Sequence, residues 1–315
     1  MRPVTFGRRA ALLCAVSLLA GCGSATFAGG TSRPAADART SRTALLYASS
    51  DGEVDVFDYP SGTKVGQLSG FDSGFDKEGL CADGAGDVFV AGTLYISGNA
   101  SGQVYEFQYG SESPSVKLST HGYADSCSID PTTGNLAVTE YYYPVFGHGD
   151  VAIFPNAQGT PTYYSDPNGQ RFSYCAYDSA GNLFISLFRA GELLEMAGGS
   201  QSFQTIALNQ KPTFSGSLQW YENKLIVASW TTENSPESIQ RVQISNGTAT
   251  ILGTTVLANG HDKRSVGQYA VDGANIVGPD ENDKYLAMWK YPKGGASTKN
   301  LGRGSGHWKG AVIVR

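Results

Sequence analysis

One short pattern recurs along the chain and constrains its fold more than any other feature. It reads LCADGAGDVFV at 80–90, SCSIDPTTGNLAV at 126–138 and YCAYDSAGNLFI at 174–185. Each copy has an apolar run with a cysteine, an aspartate, a turn rich in Gly, Pro, Thr, Ser or Asn, and a second apolar run. This order predicts a β-hairpin. Its return at intervals of about 45–50 residues predicts an array of similar sheets.

The second apolar run of the hairpin can be followed through the whole chain. It occurs six times, as ALLYAS (44–49), DVFVAG (87–92), NLAVTE (135–140), NLFISL (182–187), KLIVAS (224–229) and NIVGP (275–279). After each copy comes an alternating strand such as GEVDVFDY (52–59) or GQVYEFQY (102–109), and then a turn and a more polar strand. The sequence therefore predicts six four-stranded antiparallel sheets.

The ends of the array predict how it closes. The first apolar run is missing before Ala44, whereas an unpaired apolar run, GAVIV, occurs at 310–314. We expect this C-terminal strand to pair with the segment around Leu45 and Leu46, because a ring protects sheet edges that a linear stack leaves open. The predicted fold is an all-β, six-bladed β-propeller over residues 44–315, preceded by two segments outside it.

The first of these segments, residues 1–21, is predicted to be a secretory leader. Arg2, Arg8 and Arg9 are followed by the apolar run AALLCAVSLLA, which is too short to span a bilayer. The next residues, LAGC, resemble the lipobox of bacterial lipoproteins, and this resemblance implies a diacylated Cys22. An ordinary cleaved signal and a twin-arginine signal are the alternatives.

The residues after the leader predict where the protein resides. Residues 22–43 are small and polar, which is typical of a flexible tether. No aspartate follows Cys22, so an outer-membrane or cell-surface position in the bacterial cell envelope is favoured over the inner membrane. Acidic residues number 28 against 23 basic ones, of which three lie in the leader. This balance argues against nucleic acid as a partner.

The D-x-x-G-N sequence pattern of the hairpins, with small variations between copies, resembles NHL-type repeats. More broadly, it resembles the SMP-30/gluconolactonase and strictosidine-synthase-like propellers. The matching positions are those that build turns. They are Asp83, Asp130 and Asp178 with Gly86, Gly134 and Gly181. We expect the aspartates to cap the hairpin turns and the glycines to adopt positive φ.

The loops divide into two faces of the predicted ring. Turns between the first and second strands are short and similar, whereas the loops on the opposite face, such as GTLYISGNASG (92–102) and STHGYAD (119–125), are long and varied. Binding residues concentrate on such loops of a rigid scaffold. The candidate ligand-binding residues on the long-loop face are Tyr123, Tyr141, Tyr142, His148, Arg171, Trp230, His261, His307 and Trp308. The ligand classes that these residues suggest are a glycan, a peptide or a protein.

A metal-dependent lactonase is the alternative function, and it depends on the family resemblance. Glu78-Gly79-Leu80-Cys81-Ala82-Asp83 is similar to the E-G-x-x-x-D opening of the lactonases, which implies Glu78 as a first metal ligand. Asp125 occupies the matching position one blade later. The other ligands of that family are missing at matching positions, so a calcium or zinc site at Glu78 and Asp125 is the weaker hypothesis. No nucleophile elbow, phosphate-binding loop or Cys/His zinc spacing occurs. The favoured function is a non-catalytic, membrane-tethered binding or scaffolding module.

Three cysteines fall on predicted inner strands. Cys127 and Cys175 align in the repeat, whereas Cys81 is shifted by one residue, so its side chain is predicted to point the other way. A disulfide is possible in an oxidising envelope, but we expect neighbouring blades to hold the cysteines too far apart. Buried packing residues are the favoured interpretation.

Overall fold

The described part of the chain forms 24 short strands, which the repeat of apolar runs explains. A computed structural model describes residues 42–315 except 143–147, 167, 169, 189–190, 210–213, 231–235, 259–266, 281–284 and 304–305, and except the side chains of 214, 215, 230 and 303. The predicted leader, Cys22 and nearly all of the tether lie outside this range. No helix within the described residues has the length and apolar character needed to span a bilayer.

The strands follow in chain order and group into five sheets. The closing sheet holds β1 (Leu45–Ser50), β2 (Val54–Asp58) and β3 (Thr63–Leu68), and the second sheet holds β4 (Phe75–Ala82), β5 (Val88–Ile96), β6 (Asn99–Phe107) and β7 (Val116–Ser119). The third sheet holds β8 (Ala124–Ile129), β9 (Leu136–Glu140), β10 (Asp150–Phe154) and β11 (Thr162–Ser165), with a single 3-10 turn at Pro155–Ala157. The joined sheet holds β12 (Phe172–Tyr177), β13 (Leu183–Leu187), β14 (Leu193–Met196), β15 (Gln204–Leu208), β16 (Phe214–Tyr221), β17 (Lys224–Trp230), β18 (Ser238–Ser245) and β19 (Thr248–Val256). The last sheet holds β20 (Ala270–Asp272), β21 (Asn275–Asp280), β22 (Tyr285–Lys290) and β23 (Lys299–Arg303), and β24 (Trp308–Val314) returns to the closing sheet.

The predicted four-stranded antiparallel blades are confirmed, and the chain is a β-propeller. The described strands form four separate four-stranded sheets and one eight-stranded sheet, rather than six separate ones. The joined sheet consists of two antiparallel meanders, β12–β15 and β16–β19. Their outer strands meet through a short parallel pairing of Ala207 with Thr248 and Leu208 with Ala249.

The ring closes as the sequence predicts. Strand β24 pairs antiparallel with β1, with Val314 opposite Leu45 and Ile313 opposite Leu46. The innermost strands contact one another in the order β24, β4, β8, β12, β16, β20 and back to β24. Apolar side chains fill the spaces between neighbouring sheets; for example, Phe89 and Val104 of the second sheet pack with Leu136 of the third.

The hairpin turns also match their prediction. Asp130 Oδ1 accepts a hydrogen bond from the backbone N–H of Thr132 at 2.8 Å, and Asp178 Oδ1 accepts one from Ala180 at 2.8 Å. The glycine that ends the first of these turns, Gly134, has a φ of 75°. The repeated aspartates and glycines are therefore structural, because they hold the short-turn face of the ring.

The cysteine prediction is wrong. Cys81 and Cys127 form a disulfide whose Cα atoms are 5.6 Å apart, which is within the reach of such a bond. Strands β4 and β8 approach this closely because of Gly79, where a Cβ would lie 2.7 Å from the carbonyl oxygen of Asp125. The predicted opposite orientation of Cys81 is what turns it toward Cys127 of the next sheet. Cys175 is a free, buried thiol.

Candidate functional site

The long-loop face carries a continuous aromatic strip, which we define as Tyr95, Tyr123, Tyr141, Tyr142 and Phe188 together with Arg171. Ring centroids are 6.2 Å apart for Tyr95 and Tyr123 and 5.7 Å apart for Tyr123 and Tyr142. They are 4.3 Å apart for Tyr141 and Tyr142 and 5.0 Å apart for Tyr141 and Phe188. The strip therefore runs from the second sheet across the third to the joined sheet.

Arg171 supplies the one charged group of the strip. Its guanidinium lies 4.8 Å from the ring centroid of Tyr142 and 5.4 Å from that of Tyr141. Its Nη1 also donates a hydrogen bond of 3.2 Å to the hydroxyl oxygen of Tyr141. Burial raises the pKa of Tyr141, against the opposing effect of Arg171. The hydroxyl therefore stays neutral and the guanidinium supplies the positive charge.

Backbone hydrogen bonds fix the loops that carry the strip. The N–H of Tyr141 donates to the carbonyl of Tyr123 at 2.8 Å, which ties the end of β9 to the loop before β8. Tyr95 and Tyr123 are 48% and 39% exposed, and Ile96 beside them is 55% exposed. Large aromatic side chains thus lie open on a rigid support.

Part of this strip was predicted from the sequence, and the rest was not. The structure brings Tyr123, Tyr141, Tyr142 and Arg171 together, but Tyr95 and Phe188 were not among the candidates. Tyr95 lies in 92–102, which the sequence analysis interpreted as a loop and which is the protruding hairpin of β5 and β6. The two-residue turn Ser97-Gly98, with positive φ at both positions, was the available signal.

Three of the other sequence candidates are described by the structure, and they are not part of the strip. His148 and His307 are both exposed. The backbone N–H of His307 donates a hydrogen bond of 3.0 Å to Asp51 Oδ2. Trp308 is a correction: it is 1% exposed and packs against Phe57 in the core, because it begins the closing strand. The side chain of Trp230 and all of His261 lie outside the described residues.

A second group of polar residues lies where the inner strands begin on the long-loop face. Lys309 Nζ is 2.6 Å from Asp76 Oδ1, 2.7 Å from Glu78 Oε1 and 3.4 Å from Asp51 Oδ1. Loss of solvation raises the pKa of Glu78 to about 8 against the attraction of Lys309, and Asp125 and Asp76 add to the rise. Desolvation lowers the pKa of Lys309, but Glu78 and Asp76 outweigh this, so its pKa is raised.

This group gives the metal candidates a different role from the one that the resemblance implies. The ammonium of Lys309 supplies the positive charge next to Glu78. Asp125 has a different partner, since its Oδ2 accepts a hydrogen bond of 2.9 Å from Ser173 Oγ. Lys309 was missed because its place in the ring depends on the register of β24 against β1.

Metal-type ligands come together elsewhere in the described part of the chain. His121, Glu140 and Asp150 each place one ligand atom within 4.8 Å of the others. None of the three was predicted from the sequence to be a metal ligand, although His121 lies in one of the long loops of this face.

The inner strands also enclose a cavity of about 600 Å³ at their ends toward the short-turn face. It is lined by 80–84, 127–129, 175–177, 218–221, 268–272 and 311–315. Arg315 and Asp272, which are among these residues, form a two-bonded ion pair at 2.6 Å. The strip and the Lys309 group belong to the opposite face.

Comparisons with known proteins support the fold but do not assign the chain to a family. No protein-family model matches the chain, and no curated protein sequence matches it. The resemblance to NHL-type and gluconolactonase-like propellers therefore stays a prediction.

Solved structures show the same fold at low sequence identity. A chain in the crystal structure of a nidogen/laminin complex is 11% identical with a TM-score of 0.63, covering 86% of this chain and 98% of that one. A protein of unknown function from Bacteroides caccae is 13% identical with a TM-score of 0.59, covering 87% and 100%. The β-propeller domain of Cps50 (Swd1) from Myceliophteria thermophila is 12% identical with a TM-score of 0.53, covering 87% of each chain.

Proposed function

We propose that this protein is a membrane-tethered, extracytoplasmic propeller that binds a protein or peptide partner through the aromatic strip. The observation that carries the proposal is the unbroken chain of ring contacts from Tyr95 to Phe188, with Arg171 stacked on its middle. Tyrosine and arginine are enriched among the residues that dominate the affinity of protein interfaces.

The chemistry of the strip favours a peptide or protein over a glycan. Its surface is aromatic apart from the hydroxyl tips and Arg171, whereas a sugar also needs several carboxylate or amide groups to bind its hydroxyls. Its length suits an extended segment of about six residues. Tyrosine side chains also lose little conformational entropy when a partner binds.

A metal lactonase at Glu78 and Asp125 is not proposed. The ammonium of Lys309 lies 2.7 Å from Glu78 Oε1, and the Asp125 carboxylate is hydrogen-bonded to Ser173. These contacts give Glu78 a cationic partner and Asp125 a hydroxyl donor from within the protein.

We also interpret the joined sheet as two blades, which makes six in all. The parallel pairing between β15 and β19 involves two residue pairs, and an apolar cluster with side chains from both meanders, among them Phe184 and Val227, lies between the meanders as it does between other neighbouring sheets. The circular order of the inner strands supports this count.

Photo-crosslinking tests the partner. A p-benzoylphenylalanine at Tyr123 or Tyr95 in cells of the source organism is expected to yield one shared protein adduct. Exposed positions on outer strands, Val65 and Leu252, serve as controls and should not yield it. Truncating Arg171 and Tyr142 to alanine should lower the yield at least tenfold, by about 1.4 kcal/mol or more of binding free energy.

A matched variant tests whether the loss of an arginine elsewhere in the protein also lowers crosslinking. Arg241 lies 5.8 Å from the ring centroid of Tyr291 in another part of the propeller, and Arg241→Ala should leave the adduct unchanged. Equal crosslinking from Leu252, or an adduct that survives loss of Arg171 and Tyr142, would refute the strip as the binding surface. An adduct that contains only carbohydrate would favour a glycan.

Lipidation at Cys22 accounts for the tether and is tested separately. A palmitate analogue should label the wild-type protein, and Cys22→Ser should lose the label and move from the membrane fraction to the soluble fraction. Cys14→Ser, in the leader, should keep both properties. An unlabelled wild-type protein would contradict the lipoprotein prediction.

A further inference from the structure

Two carboxylates face each other at the long-loop end of the third sheet. Glu140 ends β9 and Asp150 begins β10, and the two residues are directly opposite in the strand register. Like charges in this position destabilise a sheet. The loop between β7 and β8 places His121 Nε2 2.9 Å from Glu140 Oε2 and 2.9 Å from Asp150 Oδ2.

The protein groups that the structure describes around these carboxylates satisfy them only in part. The side chain of Glu140 is fully buried and that of Asp150 is 10% exposed. Glu140 Oε1 accepts a hydrogen bond from the N–H of Gly122. Glu140 Oε2 and Asp150 Oδ1, however, accept none from any residue that the structure describes. One imidazole nitrogen carries one proton, so His121 Nε2 cannot donate to both carboxylates.

We propose that His121, Glu140 and Asp150 bind a divalent transition-metal ion, zinc before manganese. Buried carboxylates that are ionised need compensating positive charge and otherwise take up a proton, and a divalent cation balances two ionised carboxylates. Nitrogen and oxygen ligands bind such metals at about 2.0–2.2 Å, so two ligands at right angles lie about 3 Å apart. The two separations of 2.9 Å are close to this spacing, and a tetrahedral zinc ion would require each of them to widen to about 3.4 Å.

The choice of metal follows from the ligand types. Calcium takes oxygen ligands, whereas an imidazole beside carboxylates suits zinc or manganese. The ring of His121 is held by stacking on Tyr163, with centroids 3.6 Å apart and planes at 14°. His121 is 29% exposed by side-chain area, so water reaches the group and can complete the coordination.

Metal titration of the chelator-stripped full chain tests the site. The wild-type protein is expected to bind one Zn²⁺ per chain by calorimetry and elemental analysis, with a Tm raised by about 5 °C at a hundredfold excess over Kd. Glu140→Gln keeps the acceptor for Gly122 but removes the charge, and should weaken binding at least about 100-fold. His121→Ala, at a partly exposed position, should do the same and serves if Glu140→Gln fails to fold.

Glu78→Gln is the matched control, because it removes a carboxylate with a raised pKa on the same face. It should bind zinc like the wild type. Absence of Zn²⁺ and Mn²⁺ binding by the wild type at millimolar metal would overturn the proposal. So would binding that survives both His121→Ala and Glu140→Gln, or that is lost only in Glu78→Gln.

Discussion

Replacing Cys81 and Cys127 together with alanine is expected to lower the free energy of unfolding by about 4 kcal/mol. The bridge closes a loop of 46 residues, and the chain-entropy model gives this magnitude for such a loop. For a domain of this size the loss corresponds to a fall in Tm of about 10 °C. Urea unfolding followed by tryptophan fluorescence, together with a thermal scan, measures both quantities.

The free thiol provides the control for this change. Cys175→Ala removes a buried sulfur without breaking a bond, and we expect a loss of about 1 kcal/mol. Dithiothreitol should lower the stability of the wild type toward that of the double variant and leave the double variant unchanged. Alkylation of Cys81 and Cys127 in the native, unreduced protein would show that the bridge does not form.

The second large effect is expected at Lys309. Its replacement by methionine leaves Asp76 and Glu78 facing each other without the ammonium between them. Breaking a fully buried pair costs about 3–5 kcal/mol. Water reaches 30% of the Glu78 side chain and 35% of Asp76, so we expect about 2 kcal/mol at neutral pH. Lys117→Met, which removes an exposed ion pair with Asp72, should change stability much less.

The pH dependence of Lys309→Met distinguishes lost charge from lost packing. The pKa of Glu78 is about 8 in the folded protein and 4.5 in its ordinary state, so the folded state holds the extra proton between these values. Stability therefore falls as pH rises from about 4.5 to about 8. Without Lys309 the remaining acidic neighbours, Asp76 and Asp125, oppose ionisation, so the pKa of Glu78 rises further and this fall extends to higher pH. A deficit equal at pH 5 and pH 8 would contradict the electrostatic account.

Local pattern was enough to predict the blades but not all of their borders. The alternating run SIQRVQIS at 238–245 coincides with β18, and NLFISL differs from β13 by one residue. The parallel contact of β15 with β19 leaves no mark in either strand, because two residue pairs at a sheet edge impose no periodicity. Ring closure was predictable because one apolar run was missing at the start of the chain and one was left over at its end.

Contacts between blades could not be predicted from the sequence. The distance between Cys81 and Cys127 depends on how closely β4 and β8 approach, and the ion pair of Lys309 depends on the register of β24. Glu140 and Asp150 become neighbours only when β9 and β10 pair across the loop between them. Tyr141 and Tyr142 were recognised because adjacent aromatic residues on a long loop are visible locally, whereas Tyr95 and Phe188 join the strip only in the folded ring.

The closing sheet also determines how the protein can be handled. Arg42 donates a hydrogen bond to the carbonyl of Ala85, in a short turn, and Arg315 pairs with Asp272 beside another such turn. The described chain thus enters and leaves the ring on the same side, opposite the strip and the His121 group. A fluorescent reporter can be fused to the C-terminus, or the protein can be immobilised on a sensor chip through residues that precede Arg42. Either attachment should leave the strip and the His121 group open to solution.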